Sequence, residues 1–274
     1  MIEYERDTIA MMRAGQNQYE TLVSSVTWDA IEEKHAHLSF SQRAAVEQIL
    51  SSQDRIMGLE GVAGAGKTTS LVVIREAAED EGYQVRGLAP TSRAAHKLAE
   101  ACIKSGTLQR HLRCEELAND GWKRLYIVDE SSLASTRQIN EFLHRLRAED
   151  RVLLVGDTRQ HEAVEAGKPY QQLQEAGMQT ARLDEIVRQK DPALKEAVEQ
   201  LARGNVWEAI ENLDRQARVH EVTRREERLG EIAHEYAREP KGTLVISPDN
   251  DSRRQLGNAG AWRGGPGRVQ SPRA

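Results

Sequence analysis

The sequence predicts an α/β fold: a mainly parallel sheet with flanking helices, a helical N-terminal lead-in and the start of a second α/β domain. Three observations carry this. From Arg55 the chain changes to short apolar runs, RIMGLEG (55–61), YQVRGLAP (83–90), RLYIVDE (124–130) and RVLLVGD (151–157), separated by amphipathic stretches at about 67–81, 93–104 and 135–147. Alternation of strand-length and helix-length segments is the pattern of parallel crossover units. The first run passes through a glycine-rich turn straight into a helical stretch. The pattern then resumes after residue 216 with ARVHEVT (217–223), a charged helix near 224–238 and TLVISP (243–248).

Taken in order, residues 1–54 are polar and helical in pattern, with acids and bases mixed along Ile31 to Gln53 and no strand-like run. Residues 55–191 hold the main α/β layer. Residues 192–216 form a helical connector, opened by Pro192 at a first helical position, where the missing N–H is harmless. Residues 217–256 begin the second α/β domain. Residues 257–274, GNAGAWRGGPGRVQSPRA, hold five Gly and two Pro without an acid or an apolar period, so they read as a disordered tail. No internal repeat is present.

Composition narrows the function classes. A length of 274 residues allows one large or two modest domains and is ample for a core. No apolar run approaches the ~20 residues of a membrane helix, and MIEYERDTIA lacks the pattern of a secretion signal. Cys102 and Cys114 stand alone without CxxC spacing, which fits a reducing cytoplasm and excludes a disulfide framework. The formal net charge of −5 argues against a protein that coats DNA by general basicity, while leaving room for nucleic acid in a local groove. The tail accounts for three of the 38 basic residues, Arg263, Arg268 and Arg273, so residues 1–258 stand at 35 basic against 43 acidic, or −8.

The chemistry concentrates in Gly61-Val62-Ala63-Gly64-Ala65-Gly66-Lys67-Thr68, a full match to the phosphate-binding pattern G-x-x-x-x-G-K-[ST] between a strand and a helix. Glycines at Gly61, Gly64 and Gly66 let backbone N–H groups turn toward phosphate oxygens, and Ala65 within the turn and Thr69 in the helix that follows belong to the same cofactor-binding set. The helix N-terminus adds its dipole. Lys67 neutralises β/γ-phosphate charge and the Thr68 hydroxyl ligates Mg²⁺. LYIVDE (125–130) supplies the second half: an apolar strand ending in Asp129, placed to hold Mg²⁺, and Glu130, placed to polarise an attacking water as general base. The cofactors implied are ATP and Mg²⁺. Guanine nucleotides are disfavoured, because no N-K-x-D sequence is present, and the paired acids suit hydrolysis better than transfer to a small molecule.

The ordered series Phe40-Ser41-Gln42, GVAGAGKTT, LAPTSRAAHKL, IVDESSL, LLVGDTRQ and LDEIVRQ resembles superfamily 1 DNA helicases of the RecD-like group, and most closely the helicase half of conjugative relaxases. The resemblance covers roughly residues 1–258. It implies a RecA-like ATP-binding domain over 55–191 and ATP-driven 5′-to-3′ movement along single-stranded DNA. It makes Gln42 an adenine reader, Gln160 a γ-phosphate sensor and Arg188 a guanidinium reaching the γ-phosphate. It makes Pro90, Thr91 and Ser92 a contact to a DNA strand, with other relaxosome proteins as further partners. Read from the residues alone, Gln42 also suits a helix N-terminus, Thr91 and Ser92 suit helix caps, and Gln160 suits a polar turn after a buried strand.

Two further features are weaker. His35-Ala36-His37 is similar to the paired metal-binding histidines of relaxases, but its polar helical flanks favour solvated or capping histidines. Trp28, Trp122 and Trp207 are scattered and read as packing residues rather than base-stacking platforms. The family motor needs a second complete domain with a further arginine, and the sequence reaches its Gly/Pro/Arg segment after Leu256. The expectation is therefore a C-terminally truncated ATP-binding fragment with weak or no helicase activity. The alternatives are a non-catalytic module for single-stranded DNA or relaxosome proteins, and a non-functional gene fragment.

Overall fold

The computed structural model describes residues 2–62, 64–114, 121–158, 167–185 and 191–258. The chain divides into two compact units, Met1–Lys195 and Glu196–Ala274. In the first unit, helices α1 (Ile2–Ala14), α2 (Ser25–Lys34) and α3 (Phe40–Leu50) lead into β1 (Ile56–Gly61). There follow α4 (Lys67–Asp80), β2 (Gln84–Ala89), α5 (Ser92–Glu100), β3 (Ser105–Thr107), α6 (Leu108–Arg113) and β4 (Arg124–Val128). A 3-10 turn at Ser131–Leu133 then precedes α7 (Thr136–Leu143), β5 (Arg151–Gly156), α8 (Pro169–Glu175) and β6 (Thr180–Leu183).

Local chemistry sets the helix starts. Ser24, Ser39, Thr91 and Ser135 cap α2, α3, α5 and α7 by accepting the N–H three residues on, which satisfies a donor the helix itself leaves open. Gln42 and Gln138 complete capping boxes on α3 and α7 by accepting the N–H of Ser39 and Ser135.

The six strands form one parallel sheet in the order β3-β2-β4-β5-β1-β6. β4 and β5 are buried along their whole lengths, and after the buried arginine that opens each, Arg124 and Arg151, the residues read as an apolar run. Alternate residues face opposite layers. Leu59, Ile127, Leu153 and Val155 pack with Val46 and Ile49 of α3 and Val73 and Ile74 of α4. Ile56, Tyr126, Val128 and Leu154 pack with Met12 of α1, Phe142 of α7 and Tyr170 of α8. The lead-in helices are thus part of both apolar layers.

The chain leaves β1 and returns at β2, three strand positions away, and only later inserts β4 and β5 between them. Such a switch in strand order opens a crevice at the C-terminal strand ends. Register makes those ends nearly level: Leu59 pairs with Val155, Glu60 with Gly156, and Val128 with Leu154.

Several elements differ from the sequence-based expectation. β3 and β6 are short edge strands, and β3 is only Ser-Gly-Thr, so neither carries an apolar run. α6, α8 and α12 also escape periodicity, being six to nine residues long. The helical pattern over 192–212 is two helices, α9 (Pro192–Ala202) and α10 (Val206–Arg215). Gly204 takes φ +84° and donates its N–H to the Leu201 carbonyl, while Asn205 donates to Gln200, a stop that left-handed glycine allows.

The charged helix is present as α11 (Arg225–Arg238), and α12 (Asn250–Asn258) carries helix two residues into the stretch assigned to the tail. Residues 217–223 and 243–248, expected as strands, join no ladder among the described residues. Leu244 and Ile246 are 74 % and 79 % exposed there. Apolar alternation gives a chain strand character, but the strand itself forms only against a neighbouring edge.

Candidate functional site

The strand ends assemble the site. β1 ends at Gly61, and the glycine-rich turn brings the chain into α4 at Lys67. Gly64 and Gly66 take φ +89° and +82°, backbone that a side chain would strain. Gly66 is also the N-cap of α4 and contributes no side-chain bond, which leaves the start of this helix to an anion. Ala65 is buried beneath the turn, whereas Thr68 and Thr69 are exposed on the first turn of α4. Lys67 folds back so that its Nζ donates to the Gly61 carbonyl. Burial pushes its ammonium down, against the charges of Asp157, Asp129 and Glu130, which pull it up.

Asp129 continues β4 by donating its N–H to the Leu88 carbonyl at 2.9 Å. Burial raises its carboxyl, and the Glu130 amide, donating to Asp129 Oδ1 at 2.9 Å, opposes the rise. Glu130 takes φ +52°, a left-handed conformation that turns the chain into the 3-10 segment. Two serines staple that segment to β5. The Ser131 hydroxyl donates to the Val155 carbonyl at 2.8 Å, and Ser132 Oγ accepts the Asp157 N–H at 3.0 Å.

Asp157, 6 % exposed, is a site residue that sequence reasoning passed over in favour of Gln160. The available signal was the same as for Asp129, an acid directly after an apolar strand. Glu60, the penultimate residue of β1, was also missed. Its carboxylate accepts from the Thr158 hydroxyl at 2.5 Å and from Gln174 Nε2 at 2.8 Å. Burial works to raise the Glu60 carboxyl, but these bonds outweigh it and hold it below its ordinary value. Nothing local in RIMGLEG foretells partners about a hundred residues away.

Of the other candidates, Gln42 is buried with its amide engaged: Oε1 accepts from Ser39 N–H at 3.0 Å and Nε2 donates to the Gly66 carbonyl at 3.3 Å. It therefore ties the start of α3 to the glycine turn. Pro90, Thr91 and Ser92 link β2 to α5, with the Thr91 hydroxyl accepting from Ala94 N–H at 3.2 Å and donating to Glu130 Oε2 at 3.3 Å. Gln160 and Arg188 lie outside the described residues. His35 is the C-cap of α2 and pairs with Glu76 at 2.9 Å. Among the described residues no cluster of three or more His, Cys, Asp or Glu is placed to hold a metal. Trp28 packs against the core, whereas Trp122 and Trp207 are exposed.

The donor set of Thr68 hydroxyl and Asp129 carboxylate fits Mg²⁺, which prefers oxygen ligands and draws few of them from the protein. A glycine turn with an open helix start, a lysine and a carboxylate-bearing neighbouring strand define the class as a phosphate-loop nucleotide-binding α/β protein.

Residues 37–224 match the AAA domain family, and the chain belongs to it. It is 37% identical over 194 residues to the conjugal transfer protein TraA of Rhizobium radiobacter, covering 69% of this chain and 17% of that protein. It is 30% identical over 224 residues to the multifunctional conjugation protein TraI of Escherichia coli (strain K12), covering 77% and 12%. It is 31% identical over 183 residues to the ATP-dependent RecD2 DNA helicase of Deinococcus radiodurans, covering 62% and 25%. The chain thus spans a quarter or less of each of these relatives. The likeness drawn from the motif series, to RecD-like helicases and conjugative relaxases, is the likeness these comparisons find. Among the described residues no helix is long and apolar enough to cross a membrane.

Proposed function

We propose that this chain is the ATP-binding part of a conjugative-transfer DNA helicase, working in the cytoplasm on single-stranded DNA beside other relaxosome proteins. One observation carries the reading: Lys67, Asp129, Glu130 and Asp157 converge at the level ends of β1, β4 and β5. The N–H groups at the start of α4 hold the phosphates. Lys67 exchanges the Gly61 carbonyl for β/γ-phosphate oxygens. Thr68 and Asp129 hold Mg²⁺, which when bound offsets charge on the transferring phosphate. Glu130 accepts a proton from the water whose oxygen attacks the γ-phosphorus, as the bond to the ADP oxygen breaks.

Gln160 and Arg188 act on the γ-phosphate, and Gln42 reads adenine by exchanging its present partners for the base. Pro90, Thr91 and Ser92 contact the DNA strand. We assign residues 1–54 to the lead-in, 55–191 to the ATP-binding domain, 192–216 to the connector, 217–256 to the start of a second RecA-like domain and 257–274 to a tail. The reading for these residues is nucleotide binding and strand contact with slow hydrolysis.

Equilibrium binding of Mg·ATP to the purified chain tests it. A charge-assisted bond contributes about 1.5–3 kcal/mol, so Lys67→Ala is expected to weaken binding by about tenfold or more. Equal affinity of the two proteins would overturn the reading. Single-strand binding with no nucleotide affinity would instead favour a non-catalytic module.

A further inference from the structure

We infer that Glu60 is a positioning residue for Asp157 and Thr158, and that its carboxylate sets how strongly the site prefers ATP to ADP. The inference rests on the nucleotide reading above and deepens it, because Glu60 lies outside the phosphate-binding pattern that begins at Gly61.

Sheet order says which phosphate is concerned. β5 lies between β1 and β4. A terminal phosphate that meets both Lys67 after β1 and a water at Glu130 after β4 therefore stands over the end of β5. Asp157 and Thr158 are the first two residues past that end. Burial lowers the Lys67 ammonium, and Asp157 is the acid that opposes this most. ADP lacks the terminal phosphate, so a shift of these two residues is felt chiefly by ATP.

Glu60 reaches them from the far face of the sheet. Leu59 points into the layer of α3 and α4, so Glu60 points to the side of Ile56 and α8. A largely buried carboxylate needs donors, and Glu60 has them on both oxygens. Oε1 accepts from the Thr158 hydroxyl at 2.5 Å, and Oε2 accepts from Gln174 Nε2 at 2.8 Å. The Thr158 N–H adds a further bond to the same carboxylate. Arg182, its cross-strand neighbour on β6, stands 3.9 Å from Oε2 but is largely exposed, so it adds little.

Asp157 is thereby pinned from two sides. Ser132, in the turn after β4, accepts the Asp157 N–H at 3.0 Å, and Glu60 of β1 holds the next residue. The same carboxylate also ties down α8 through Gln174. Burial works to raise the Glu60 carboxyl, yet its bonds hold it below its ordinary value, so at neutral pH it is ionised and only accepts. A hydroxyl bonded to a carboxylate is a short, strong contact. Without it, Asp157 and Thr158 are held from the β4 side and by α8 packing alone.

Equilibrium titration of the whole chain with Mg·ADP and with a non-hydrolysable Mg·ATP analogue tests this. Glu60→Ala is expected to weaken the ATP analogue by about tenfold, the size of one charge-assisted hydrogen bond, and Mg·ADP by less than about twofold. Thr158→Val keeps the backbone bond and is expected to lower the same preference by about fivefold. Adding it to Glu60→Ala is expected to cost nothing more, because the hydroxyl has already lost its acceptor. Glu60→Gln is expected to restore most of the preference. Its amide oxygen accepts from Thr158, and its NH₂ group meets Gln174, whose own amide can turn to accept. Glu81→Ala, at the opposite end of α4 from Lys67, controls for lost stability and is expected to leave the preference native. Equal losses for the two nucleotides, or a native preference in both Glu60→Ala and Thr158→Val, overturn the inference while Lys67→Ala still supports the nucleotide reading. Failure of the native chain to bind either nucleotide overturns that reading and this inference with it.

Discussion

Gly156→Ala probes how closely the site is built onto the sheet. Gly156 closes β5 and pairs with Glu60. A Cβ there would stand 2.6 Å from Ser132 Oγ and 2.8 and 2.9 Å from Tyr170 Cε1 and Cδ1. Each is well inside van der Waals contact. Ser132 cannot turn away freely, because its Oγ accepts the Asp157 N–H. Tyr170 is 1 % exposed within the apolar layer of α7 and α8, so ring displacement opens a gap elsewhere. Overpacking of this kind costs about 1–3 kcal/mol. For a unit of this size a loss of about 2 kcal/mol lowers the midpoint by roughly 4–8 °C. Calorimetry of the two proteins measures that fall, and Mg·ATP titration is expected to show weaker binding, because Asp157 is the next residue. Gly106→Ala is the control: a Cβ there meets nothing within 4 Å. A native midpoint in Gly156→Ala, or an equal fall in Gly106→Ala, would refute the packing argument.

Two other outcomes follow from the same network. Ser132→Ala leaves the buried Asp157 N–H without its acceptor, so it is expected to destabilise the chain by about 1–3 kcal/mol in denaturant titration and to weaken nucleotide binding. Glu81 accepts from the Ser24 N–H at 2.9 Å and the Thr27 hydroxyl at 2.7 Å, and these bonds hold its carboxyl down to about 2 from an ordinary 4.5. A carboxyl depressed on folding stabilises above its unfolded value and loses that contribution as pH falls through its folded one. Stability is therefore expected to drop between pH about 4.5 and about 2, and Glu81→Ala to show a smaller drop across that window.

Much of the centre was legible in the sequence. Strands buried on both faces carry nearly continuous apolar runs, and β4 and β5 announce themselves this way, while β1 and the more alternating β2 show shorter ones. The glycine turn is legible for a similar reason, since its backbone demands glycine at fixed spacings within eight residues. The lead-in was read correctly as helical, but its packing into both apolar layers was not, because contact with a distant sheet leaves little trace in a polar periodicity.

What the sequence by itself determined is the local chemistry: a phosphate-binding turn between strand and helix, and paired acids after an apolar strand. Tertiary structure alone decided which groups meet. It put Asp157 beside Lys67, turned Glu60 into an anchor for Thr158 and Gln174, engaged Gln42 with Ser39 and Gly66, and joined Thr91 to Glu130. It also left 217–223 and 243–248 outside any ladder despite their strand-like composition. The physical reason is common to all of these. Backbone conformation answers to near neighbours along the chain, whereas strand pairing and side-chain hydrogen bonds are fixed only when distant segments come to lie side by side.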